Sequence, residues 1–193
     1  MTKKNVILFL LLPIFYGCSL ERVLLDGTIA GTRKASSSFS TLTDLEVAKL
    51  GAGSSLATLE GYYALAPDNQ DNLFLLTSAW AGYAGAFIED DWESAQDSGD
   101  EATEEVAATR ARQAYDRAIR YGSELLERRK PGFKDAMKNT ATMGVYLQGF
   151  EGPKDAEALL WLGVAWLSRG GVAAADPEIV SELFVGVSML ERS

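Results

Sequence analysis

The chain has no histidine and only one cysteine among its 193 residues. Without imidazole there is no His-based acid–base pair, no Ser–His or Cys–His nucleophile, and none of the usual His-containing zinc sites. With one thiol, no intramolecular disulfide can form in any redox compartment. Positive charge is also in short supply: 18 Lys and Arg stand against 27 Asp and Glu, a formal charge of −9. Such a surface repels phosphate backbones, so nucleic acid is excluded as a natural partner. Strand-like alternation is missing throughout, and no motif calls for a cofactor.

What is present begins with a leader. Lys3 and Lys4 precede an apolar run over residues 6–15, interrupted by Pro13 and followed by Gly17, Cys18 and Ser19. A spanning helix needs about 20 apolar residues, and this run is too short. A positive start, a short apolar core and a small residue before a cut site describe a secretory signal. The lone cysteine falls where a bacterial lipobox places its lipidated residue, although Phe15 and Tyr16 replace the usual Leu and small residue. The expectation is a lipoprotein signal peptide over residues 1–17, cleaved so that Cys18 carries the lipid. Several acyl chains, at about 0.8 kcal/mol per buried methylene, hold a protein stably on a membrane. Ser19 rather than Asp after the cysteine favours the outer membrane, so the expected location is the periplasmic face of a bacterial membrane. Loss of Lys3 and Lys4 leaves 16 basic against 27 acidic side chains, a balance of −11.

The mature chain reads as all-α. Residues 18–43 are expected as the lipidated cysteine and a tether, with a short helix possible over residues 20–30. A helical domain follows over residues 44–193. Ser54 is the predicted cap of a first helix through Leu56, Leu59 and Tyr63, ending near Pro67. Leu73, Leu76, Trp80, Tyr83 and Phe87 are spaced 3, 4, 3, 4 and share one helical face. Residues 89–105 are strongly acidic, but their spacing is not that of an EF-hand loop. They are read as a solvated loop running into the acidic start of a helix. A long helix is predicted over residues 102–129, with Asp116–Arg120 and Glu124–Arg128 as i,i+4 pairs and Pro131-Gly132 as its stop. Residues 133–150 suggest one or two short helices with Met137, Val145, Tyr146 and Leu147 inward. Pro153 opens a helix that is expected to close at Gly170-Gly171. Asp176-Pro177-Glu178 opens another, with Val180, Leu183, Phe184, Val187 and Leu190 facing inward.

Helix pairs of this kind invite a search for repeats. Leu159, Leu162, Gly163 and Trp166 fit the first-helix spacing of the tetratricopeptide (TPR) pattern, and so do Leu73, Leu76, Thr77 and Trp80, with Thr77 in place of Gly. Ala111, Tyr115 and Ala118 fit the second-helix pattern. The predicted fold is therefore an all-α, TPR-like helical repeat array of antiparallel helix pairs.

Four stretches extend this reading. NLFLLTSAWAGYAGAFIE (residues 72–89), RARQAYDRAIRYGSELL (110–126), AEALLWLGVAWLS (156–168) and DPEIVSELFVGVSMLER (176–192) resemble the T-component lipoproteins of TRAP transporters, the TatT family. The resemblance covers roughly residues 50–193. It implies a non-enzymatic periplasmic accessory that associates with the substrate-binding P component of a TRAP system and offers a passage for a small apolar ligand. A homo-oligomer such as a trimer is consistent with that family. Against the family pattern, the chain stops inside an apolar-periodic helix, which suggests a domain truncated at its C-terminus.

The candidate ligand or partner surface is Tyr62, Tyr63, Trp80, Tyr83, Phe87, Trp161 and Trp166. Aromatic residues at helical spacing also fill cores, so each has a packing alternative. A TPR-type scaffold lipoprotein for envelope complexes is the alternative function. A carboxylate-based hydrolase is the enzymatic alternative, but no spacing singles out a pair of acids.

Overall fold

Asp100 starts the longest helix of the molecule by accepting a hydrogen bond from the Thr103 amide at 3.1 Å. A computed structural model describes residues 17–173 and 176–193, with side chains from Leu20 onward. Among the described residues there are helices and no strands. They are α1 (Gly17–Ala35), α2 (Leu45–Leu65), α3 (Gln70–Tyr83), α4 (Glu89–Ser98), α5 (Glu101–Arg129), α6 (Phe133–Ala136), α7 (Thr140–Leu147), α8 (Pro153–Val172), α9 (Pro177–Ser181) and α10 (Leu183–Arg192). A 3-10 segment, Ser36–Thr41, follows α1, and a π turn, Ala84–Ile88, joins α3 to α4 without a break.

The layout centres on α5. Both α3 and α8 pack against it and against each other, while α2 packs on α3 and α10 on α8. Alanines make the close approach possible: Ala111, Ala114 and Ala118 lie buried along α5. In its C-terminal half, α5 carries Gly122, where a Cβ would stand 2.6 Å from Leu162 Cδ1 on α8 and 3.0 Å from Thr77 Cγ2 on α3. Two apolar clusters result. One joins α5 to α6, α7, α8 and α10 through residues such as Leu126, Phe133, Met143, Leu159, Trp166 and Met189. The other joins α1, α2 and α3 to the C-terminal half of α5 through Ile29, Leu59, Leu73, Leu76 and Leu125. Trp80 and Trp161 pack against both.

Several boundaries differ from the sequence reading. Residues 1–16 of the leader lie outside the described residues, as does the side chain of Cys18. Within residues 18–43, α1 continues to Ala35, past the expected end at residue 30. Its buried Ile29 and the stacking of Arg33 at 3.4 Å over the Phe74 ring fasten it to α3. Helix α2 begins nine residues before Ser54, because Asp44 supplies the cap, its carboxylate accepting from the Val47 amide at 3.0 Å. The acidic stretch is not a loop: α4 is a full helix that ends on Gly99 at φ 70°, a left-handed position suited to glycine.

Further along, the Glu124–Arg128 pair forms at 2.7 Å, but Asp116 pairs with Arg169 rather than Arg120. Arg120 turns instead to the Tyr121 hydroxyl. Val145 is 68% exposed, and Met143 takes the inward place expected of it. Gly170-Gly171 does not stop α8, because its backbone stays helical to Val172 and the lack of a side chain at Gly170 leaves room for Leu183. The last helix breaks at Glu182, which shifts the phase of α10. Val185 and Met189 are buried, whereas Val180 and Val187 are exposed.

Candidate functional site

Two of the candidate aromatics, Trp80 and Tyr63, are held by neighbouring carboxylates. Glu60, on the last third of α2, points across to α3 and α5. Its Oε1 accepts from Trp80 Nε1 at 2.9 Å and from Arg117 Nη1 at 3.3 Å. Its Oε2 accepts from the Tyr121 hydroxyl. One helical turn away, the Tyr63 hydroxyl donates to Glu124 Oε2 at 2.9 Å. The Tyr63 and Tyr121 rings meet edge-on, 5.0 Å apart at 71°. Two guanidiniums cover the set: Arg117 lies 4.9 Å over Trp80, and Arg120 lies 4.2 Å over Tyr121 and 5.8 Å over Tyr63.

The local sequence explains this arrangement. On α5, Arg117, Arg120, Tyr121 and Glu124 are spaced 3, 1, 3 and so share a face. Burial, then the bond to Glu60, pushes the Tyr121 hydroxyl far above its ordinary range. The bond to Glu124, then burial, raises that of Tyr63. Both phenols therefore stay protonated and act as donors. With three donors on Glu60, the arrangement is a brace that holds aromatic faces in place, with no free base or nucleophile at its centre.

The other candidates lie elsewhere. Tyr62 is half-buried on α2, packed against the same cluster as Tyr63. Tyr83 and Phe87 pair at 5.4 Å across the π turn, and Tyr83 abuts Gly53 of α2. Trp161 reaches from α8 to Gly82 of α3 and is half-buried. Trp166 is 4% exposed and lies in the core, 6.3 Å from the Phe133 ring. The sequence reading missed Glu60, Arg117, Arg120 and Tyr121. The face shared by the last three on α5 was readable, but the approach of Glu60 from α2 was not.

Two further features bear on chemistry. A cleft of about 440 Å³ lies where α3 and α8 begin, lined by Asn69, Gln70, Asp71, Arg129, Lys154 and Asp155. Its charges pair internally, Arg129 with Asp155 at 2.9 Å and Lys154 with Asp71 at 3.4 Å. At the π turn, Glu89 Oε1 accepts from the Tyr115 hydroxyl at 2.7 Å. Burial holds the Glu89 carboxyl above the usual glutamate range, against the opposing pull of that hydrogen bond. Among the described residues no group of three or more Cys, Asp or Glu could hold a metal ion. In the acidic stretch, Asp91 faces Lys49 and Arg110, each at 3.6 Å, and Asp100 caps α5. No helix of the described residues is long and apolar enough to cross a membrane.

A family model described as TRAP transporter T-component matches residues 41–193. The chain belongs to the TRAP transporter T-component family. Membership associates it with a TRAP transporter, as an accessory component of that system. The match takes in all of α2 to α10, so the Glu60 brace belongs to the T-component domain itself. No curated protein and no solved structure matches the chain.

Proposed function

We propose that this T-component is a lipoprotein, anchored through Cys18 at the periplasmic face of the outer membrane, that binds the substrate-binding P component of its TRAP transporter. The surface carrying the contact is the ledge of Tyr62, Tyr63 and Trp80, braced by Glu60, Arg117 and Arg120. The observation behind this is that the Tyr63 hydroxyl and the Trp80 indole N–H are both pinned by carboxylates. The ledge is thus formed before any partner arrives. Tyr, Trp and Arg are the residues most enriched at interface hot spots, and preorganised side chains lose little entropy on binding.

The packing of α2 on α3, α3 on α5 and α5 on α8 supports a TPR-like array in which helix pairs present such a ledge. An apolar ligand passage and a trimeric assembly belong to the same reading. The test is native mass spectrometry of the mature protein mixed with the neighbouring TRAP substrate-binding protein. A complex that weakens with Tyr62→Ala or Arg117→Ala supports the reading, and its stoichiometry reports the oligomer. No complex at tens of micromolar protein, with or without candidate ligands, sinks the reading in favour of the TPR-type scaffold.

A further inference from the structure

Helix α1 turns Arg22, Leu25, Asp26, Ile29 and Arg33 toward the domain but leaves Leu20, Val23 and Leu24 outward, where an ordinary surface helix is polar. The inward face is fastened to the domain. Arg22 pairs with Asp26 at 3.0 Å and with Asp68 at 2.8 Å, and Asn69 donates to Asp26 at 2.7 Å. Ile29 is fully buried, and Arg33 pairs with Glu157. On the opposite side, Leu20, Val23 and Leu24 are 61%, 65% and 62% exposed. Their spacing of 3 and 1 places them on one face, which Gly27 and Gly31 continue with open space above them.

The geometry points to a lipid surface as the occupant of this face; the inference rests on the lipoprotein reading above. Three observations support it. First, Cys18 is the second residue of α1, and the apolar run over residues 6–15 lies directly upstream. Cys18 is two residues from Leu20, and Leu24 lies only about 9 Å along the axis from it. Second, the inward bonds tie α1 to the domain, so the residues it leaves outward beside the anchor are Leu20, Val23 and Leu24. Third, Leu20, Val23, Leu24, Gly27 and Gly31 include no carboxylate, in a chain that carries 27. A helix lying in the interface plane with its apolar side in the acyl boundary has this form.

The test uses the full chain as processed in a bacterial envelope, reconstituted in vesicles containing brominated phospholipid. Leu24→Cys, Val23→Cys and, on α7, Val145→Cys each carry an environment-sensitive dye. Intact mass first reports whether Cys18 is acylated. The expected result is a blue-shifted emission that bromolipid quenches at positions 23 and 24 but not at 145. With Cys18 acylated, water-like emission at positions 23 and 24 overturns the docking while leaving the anchor intact. A blue shift without bromine quenching, accompanied by a dimer mass, assigns the face to a second copy and also overturns it.

If Cys18 is unmodified, the lipoprotein reading fails by itself. The probes are then repeated with Cys18→Ser: quenching upholds the docking, and a chain that does not sediment with vesicles overturns it.

Discussion

Gly163 and Gly186 face each other where α8 crosses α10: a Cβ on Gly163 would stand 3.1 Å from the Gly186 carbonyl oxygen, and a Cβ on Gly186 3.1 Å from that of Gly163. A Cβ on Gly186 would also meet Leu167 Cγ and Trp166 Cβ at 3.0 Å, so backbone as well as side chains would have to shift. Gly186→Ala is expected to destabilise the protein by roughly 1–3 kcal/mol, the usual cost of overpacking, despite the better helix propensity of alanine. Gly61→Ala on α2, where a Cβ meets nothing within 4 Å, should instead stabilise by about 0.5–1 kcal/mol. Urea midpoints at constant slope measure both; equal shifts for the two would refute the close crossing.

The Glu60 brace makes an asymmetric prediction. Glu60→Ala leaves the fully buried Tyr121 hydroxyl without its acceptor, which costs about 1–3 kcal/mol. Tyr121→Phe removes the donor and leaves Glu60 with Trp80 and Arg117, so its cost should be nearer 1 kcal/mol. Thermal unfolding ranks the two, and tryptophan emission should shift in Glu60→Ala because Trp80 loses its partner. A larger loss for Tyr121→Phe would contradict the arrangement.

Glu89 sets a pH dependence. Its folded carboxyl titrates above the ordinary glutamate value of 4.5 because it is partly desolvated. Between those two values the folded state holds more protons than the unfolded one, so stability falls as pH rises through that window. Glu89→Gln removes the ionisation while keeping an acceptor for Tyr115. The variant should therefore gain on the parent between pH 4 and pH 7, with the gap closing on acidification. Parallel denaturation at both pH values checks it, and a gap that widens toward acid would rule out desolvation as the cause.

Met143→Ala should cost about 2–5 kcal/mol, as a fully buried residue leaving a cavity. Val145→Ser, two positions away and exposed, should stay within about 0.5 kcal/mol. Circular dichroism melts of the pair test the register of α7.

How much of this was legible depended on where the information resides. The ends of α5 were readable because they are local: an acidic cap before Glu101, and Arg128, Arg129, Pro131 and Gly132 after a clean apolar face. The start of α2 was hidden because Leu45, Val47 and Leu50 are exposed and Gly51 and Gly53 look like breakers. The inward face of α10 was legible in part: Leu183, Phe184 and Leu190 do pack inward, but a break at Glu182 that nothing local announces buries Val185 and Met189 and leaves Val187 out. Trp80 and Tyr63 stood out by type and spacing. Glu60 did not, because its partners sit 20, 57 and 61 residues away and only the tertiary fold unites them.

The π turn between α3 and α4 sets the phase of the acidic helix. A wide turn absorbs one residue that a regular helix would not, and one residue in a helix is worth about 100° of rotation. Were the turn to close into a regular α-helix with every residue kept, α4 would swing by that angle. Glu89 would then leave the Tyr115 hydroxyl, and Asp91 would turn from Lys49 and Arg110. At this join the backbone hydrogen-bond pattern is as tightly specified as the identity of the residues, and losing the wide turn would misdirect the acidic helix with every side chain still present.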